Sequence, residues 1–147
     1  MSIKQLDTLY RFEQDKEHKA AQKLQQAEQD YQQNIQRLQS VSDFRLEYMK
    51  RLSQRCVNGI DSATYTHFHA FIAKLDNASE QVKVAIRQAK ALVAQTKKHW
   101  LEQRQKLQAV EHLRDKKRVV LLKKANKQEQ QMFDEIATQQ FIRRRMT

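Results

Sequence analysis

Proline is absent and glycine occurs once, at Gly59, so the chain lacks the residues that make reversals. A sheet, a barrel or a mixed fold with many turns is thereby excluded, and a long, almost unbroken helical chain remains. The single cysteine, Cys56, rules out an intrachain disulfide framework and a cysteine-rich zinc site, and it favours a reducing compartment. No apolar run approaches the length of a transmembrane helix. The opening residues, Met1-Ser2-Ile3-Lys4-Gln5-Leu6-Asp7, lack the apolar stretch of a secretory signal, so neither anchorage nor export is expected. Aromatic residues make up 7% of the chain, hydrophobic residues 39%, and mean hydropathy is −0.90, too polar to build a thick globular core. The chain should bury a narrow seam.

What is present fits that seam. A seven-residue register places Ile3, Tyr10, Leu24, Tyr31, Leu38 and Leu52 at one seam position and Leu6, Ala20, Ala27, Val41 and Tyr48 at the other. Glu13, Glu17, Asn34, Arg45 and Arg55 also fall on the register, while Ile35, Phe44 and Met49 lie beside it, which predicts drift toward 3.6 residues per turn. The one strong break is Val57-Asn58-Gly59-Ile60-Asp61-Ser62, where Asn58 and Gly59 tolerate left-handed backbone and Asp61 or Ser62 can cap a following helix. Beyond it the three- and four-residue steps resume with Phe68, Phe71, Ile72, Leu75, Ala78, Val82, Ala85, Ile86, Ala89, Leu92 and Val93. They weaken after Thr96. Cys56 reads as a small packing residue near the bend.

The expected fold is therefore all-α, a long antiparallel two-helix coiled-coil hairpin with a C-terminal helical overhang. Residues 1–147 form a single coiled-coil domain, with helix one over about 3–56, the bend at 57–61 and helix two over about 62–142. At about 1.5 Å per residue the two helices run roughly 80 Å and roughly 120 Å, so Ile3 lies opposite a residue near Lys117. Past that point Val120, Leu121, Met132, Phe133, Ile136, Phe141 and Ile142 have no partner within the chain, and another protein is expected to hold them. Self-pairing in a homodimer is the alternative.

With 28 Lys and Arg against 17 Asp and Glu, the formal charge is +11, which favours acidic partners. Residues 83–127 carry 14 cations against Glu102, Glu111 and Asp115, a surplus of 11 that matches the net charge of the whole chain. Such a run reads as a solvated face, or as a helix guided electrostatically into an acidic surface or ring lining. A basic coiled-coil nucleic-acid-binding or scaffold protein is the competing reading. Against nucleic acid, Trp100 is the only aromatic among the fourteen cations and no reader motif is present.

Catalysis finds no support. One glycine cannot form a phosphate-binding loop, no G-x-S-x-G elbow occurs, and His67 and His69 are two apart, where a helical metal pair needs three or four. His18, His99 and His112 stand alone. No enzyme activity, cofactor or metal is expected.

The run Phe71-Ile72-Ala73-Lys74-Leu75-Asp76-Asn77-Ala78-Ser79-Glu80-Gln81, after Asn58-Gly59-Ile60, resembles the F-I-x-x-L-x-x-A-x-x-Q segment that follows the N-G-I bend of the FliJ family. Asp43-Phe44-Arg45-Leu46-Glu47-Tyr48 is similar to that family's paired aromatics, and the length, basic charge and Trp100 extend the likeness over nearly the whole chain. The resemblance implies a stalk of the bacterial flagellar type III export apparatus, similar to the gamma subunit of rotary ATPases. It would bind at the centre of the hexameric export ATPase, contact the membrane export-gate protein and handle export chaperones. No nucleic acid is then expected, and the place is the cytoplasm at the inner face of the inner membrane, with membrane association only through partners. For the gate the resemblance points to Val41, Phe44, Tyr48, Phe71, Leu75, Ala78 and Val82. Phe44 stands where the family has a tyrosine and Val82 where a relative has a histidine. Read as helix faces, the same residues form either one surface across the hairpin or the seam itself. For the ATPase ring, resemblance and helix lengths point together to Leu6, Leu9 and Tyr10 with Val120, Leu121, Met132, Phe133, Ile136 and Phe141.

Overall fold

The computed structural model describes residues 1–146 and is all-α, with α1 at Ile3–Asn58 and α2 at Ser62–Met146. Thr147, part of the expected single domain, lies outside the described residues. Two compact units form: His18–Leu101, and Met1–Glu17 with the stretch from Glu102 onward. Each helix contributes a segment to both.

The first turn of α1 is closed by side chains. The Ser2 amide donates to Gln5 Oε1 at 2.9 Å and the Gln5 amide donates to Ser2 Oγ at 3.2 Å, a reciprocal cap that satisfies two amides lacking helical partners. At the bend Gly59 takes φ 88, a region costly for any residue with a Cβ, and the Tyr65 amide donates to the Asp61 carbonyl at 3.1 Å to begin α2. Both helices outrun the apolar pattern, α1 through Asn58 and α2 through Met146. Periodicity marks where a helix has something to pack against, whereas backbone hydrogen bonding continues until a residue such as Gly59 interrupts it.

In the unit His18–Leu101 the helices run antiparallel, since Tyr48 meets Phe68 while Phe44 meets Phe71 and Arg45 meets Asp76. Leu52, Phe68 and Ile72 make its buried core, with Tyr48 and Ile60 packed against them. The α1 seam follows Ala20, Leu24, Ala27, Tyr31, Asn34, Leu38, Val41, Arg45, Tyr48 and Leu52, all buried or half-buried. The predicted drift does not occur: Ile35, Phe44 and Met49 are exposed, and Asn34 and Arg45 hold seam positions. Winding at 3.5 residues per turn keeps one face against the partner helix, and a straight helix would lose that contact by about 20° per heptad. Cys56 is exposed rather than packed, because the seam passes through Leu52 and leaves Cys56 outside it.

In the unit with the chain ends, Ile3, Leu6, Tyr10, Glu13 and Glu17 face inward from α1 and Gln103, Leu107, Val110, Arg114 and Lys117 from α2. Among the described residues of this unit, only Leu6, Val110 and Gln103 are buried. Asp7 bridges Arg114 at 3.8 Å and Arg118 at 3.5 Å, and the Arg114 guanidinium lies 3.7 Å over the Tyr10 ring. Lys117 is the last half-buried residue, and every described residue from Arg118 onward is exposed.

Candidate functional site

The residues singled out as contact surfaces fall into two groups, one in each unit.

Beside the bend, Phe44 and Tyr48 lie on successive turns of α1, and Phe68 and Phe71 lie one step apart on α2. Tyr48 packs 4.5 Å from Phe71 and 5.0 Å from Phe68 between ring centroids. Phe44 stands 6.3 Å from Tyr48 and 6.2 Å from Phe71. Edge and offset contacts of this kind add to area burial, by about 0.5–1.5 kcal/mol per pair. Val41, Tyr48, Phe71, Leu75, Ala78 and Val82 are half-buried seam residues, while Phe44 is 51% exposed. The structure thus brings all seven onto one stretch of hairpin, six of them shared with the seam and Phe44 at its rim. Arg45 donates from Nε to Asp76 Oδ1 at 2.6 Å across the helices beside this cluster. The pair is half-exposed, so it fixes register more than it adds stability.

The second group sits at the opposite ends of the helices in sequence. Leu6 is buried, Leu9 and Tyr10 are half-buried, and Tyr10 is capped by Arg114. Leu9 is therefore the member of that trio most available to a partner. Val120, Leu121, Met132, Phe133, Ile136 and Phe141 are 40% to 60% exposed on a helix that nothing in the described chain covers. Leu122, Met132, Phe133 and Ile136 share one side of it through steps of ten, one and three residues. The seam register continues through Leu121 and then Lys124, Gln128, Gln131 and Glu135, so beyond Leu121 the apolar stripe is rotated away from the line of the hairpin contact.

Sequence reading passed over Phe12, which is exposed on α1 with the Lys16 ammonium 4.4 Å over its ring. With Met1 and Leu9 it lines a shallow groove on the outer side of α1, a stripe legible in steps of eight and three. Leu113, part of the weakened apolar pattern of α2, is exposed. It lines a second groove with Met1, Leu6, Lys116, Lys117 and Val120.

Among the described residues no group of three or more His, Cys, Asp or Glu could hold a metal, and no helix is long and apolar enough to cross a membrane. His69 makes an edge contact with Tyr65 at 4.5 Å. The grooves along the hairpin are open to solvent and present no site from which water is excluded.

Residues 1–146 match the family model described as flagellar FliJ protein. The flagellar FliJ protein of Salmonella typhi is 30% identical over 139 residues, 95% of each chain, and that of Escherichia coli K12 is 27% identical over 113 residues, 77% of each. No solved structure matches the chain significantly.

Proposed function

The chain belongs to the FliJ family of flagellar proteins, and from that premise we propose that it is a non-enzymatic coiled-coil stalk of the flagellar export apparatus. Its chain-end unit docks in the hexameric export ATPase and its bend reaches the membrane export gate. One observation supports the docking above others: α2 continues for 29 described residues past Lys117 with large apolar side chains exposed throughout. A greasy helix that its own chain leaves bare needs a collar from elsewhere. The cations of 83–127 supply guidance toward an acidic lining, at a strength that salt reduces. An asymmetric helix inside a symmetric ring contacts its subunits unequally, which is a means of biasing which of them is competent to hydrolyse.

At the other end, the rim position of Phe44 supports a gate contact through its exposed ring, with Tyr48 and Phe71 holding that ring in place. Handling of export chaperones is part of the same proposal and rests on the family alone. The deciding experiment removes residues 120–147 and measures stimulation of ATP hydrolysis by the export ATPase together with co-purification. Loss of both is expected. Unchanged stimulation rejects the tail as the docking element.

A further inference from the structure

We propose that residues 3–17 of α1 form a releasable strap: in the free protein they unravel from α2 as one unit, and when off they bare the face of α2 from Gln103 to Lys117. The inference concerns the protein alone and does not depend on ring docking. Its first ground is where polar atoms are buried. Among the described residues, the buried side-chain atoms without a hydrogen-bond partner are Glu13 Oε2, Gln103 Oε1 and Arg114 Nε, and all three lie in this one seam. Each recovers water when the seam opens, so opening is favoured at three places where an apolar seam would resist it. That resistance is thin here, because Leu6 and Val110 are the buried hydrophobic residues of this unit among those described.

The second ground is how the strap is held. Asp7 reaches Arg114 at 3.8 Å and Arg118 at 3.5 Å, and Tyr10 lies under the Arg114 guanidinium at 3.7 Å. These ties gather on one turn of α1 and are partly open to solvent, so they let go together and salt weakens them. Further along α1 the seam turns apolar at Ala20, Leu24 and Ala27, with Ala20 and Ala27 each only 3% exposed. Opening therefore stops short of Ala20. Between Ile3 and Asn58 no glycine or proline offers a hinge on which the helix could swing out intact, and so short a helical segment is marginal in water once its packed face is lost. Release is thus unravelling. It leaves Leu107 and Val110 uncovered beside the already exposed Leu113, Val120 and Leu121 on one helix. The strap is an autoinhibitory contact, since it occupies a face that a partner helix can take only when residues 3–17 yield it, and such a partner draws the equilibrium toward the open form.

The test is hydrogen–deuterium exchange of the full-length protein alone, read by mass spectrometry. Amides of 8–17 are expected to exchange at least about tenfold faster than those of 24–52 and to share one protection factor, because they open together. Glu13→Leu with Gln103→Leu removes two of the orphaned atoms and should slow exchange at 8–17 by about tenfold or more while leaving 24–52 unchanged. Asp7→Ala should speed it by about threefold. The protection of 24–52 reports in the same measurement that each variant remains folded. In a Cys56→Ser background, the thiol of Val110→Cys should react with an alkylating reagent in step with exchange at 8–17, because the same opening uncovers it. Protection at 8–17 equal to that at 24–52 overturns the proposal. So does protection that falls off smoothly toward Met1 and ignores the double variant, which is fraying of a helix end, and so does a thiol at 110 that stays closed while 8–17 exchanges. The export ATPase is absent throughout, so none of these outcomes bears on ring docking.

Discussion

The two compact units use the same heptad geometry with different side chains. Near the bend the seam closes on Leu52, Phe68 and Ile72, with aromatic rings filling the layer above them. In the chain-end unit the inward positions include Glu13, Glu17, Gln103, Arg114 and Lys117. Three side-chain atoms there, Glu13 Oε2, Gln103 Oε1 and Arg114 Nε, are buried without a hydrogen-bond partner. A buried polar atom left unsatisfied costs about 1–3 kcal/mol, whereas a buried aromatic or aliphatic side chain contributes about as much in the other direction. The unit around the bend is built to hold itself together. The unit with the chain termini leaves its seam under-satisfied and the helix beyond Lys117 bare.

Removing residues 120–147 makes the sharpest cut between the ends. It should abolish stimulation of the export ATPase while leaving the midpoint of thermal unfolding near its original value, because the apolar side chains removed are exposed. A large fall in that midpoint would show that the tail supports the hairpin after all. Ile72→Ala should destabilise by about 2–4 kcal/mol, read from urea unfolding followed by circular dichroism, since it opens a hole in a core only a few residues wide. Gly59→Val should cost about 1–2 kcal/mol in the same assay. The space around Gly59 is empty to 4 Å, so the backbone at φ +88 is the whole of that effect. Gln103→Leu should act in the opposite direction, raising stability by about 1 kcal/mol in chemical unfolding, because it removes an orphaned acceptor from the seam. Phe44→Ala should change stability by less than about 1 kcal/mol, given its half-exposed ring, yet weaken capture of the export-gate protein in a pull-down. Equal retention of the gate by that variant would remove the rim aromatic from the proposed contact.

Much of this arrangement is legible in the chain itself. A single glycine in a chain without proline leaves Asn58-Gly59 as the one place to turn, and the helices do meet at Gly59. The seven-residue register also picks out Leu6, Ala20, Ala27 and Leu52, four of the buried residues, because only a repeat of 3.5 keeps one face on one neighbour. The helix lengths place the end of pairing near Lys117, and the last half-buried residue is Lys117. Less legible were Ile35, Phe44 and Met49. Their hydrophobicity suggested that they pull the seam toward themselves, but two helices wound together hold a face by geometry, and the residue that lies there stays there even when it is Asn34 or Arg45. Phe12 escaped notice for the opposite reason: it sits off the seam register, on a short outward stripe with Met1 and Leu9.

Sequence alone therefore determined that the chain is two helices of unequal length and where they part, since these depend on local backbone preference and on spacing. Only the tertiary structure decided how far each seam residue is covered, that Phe44 stands at the rim of an aromatic cluster while Tyr48 lies within it, and that Asp7 reaches both Arg114 and Arg118. Those outcomes depend on side chains from two different helices arriving at one place, and no pattern along a single helix carries the size or direction of what it will meet.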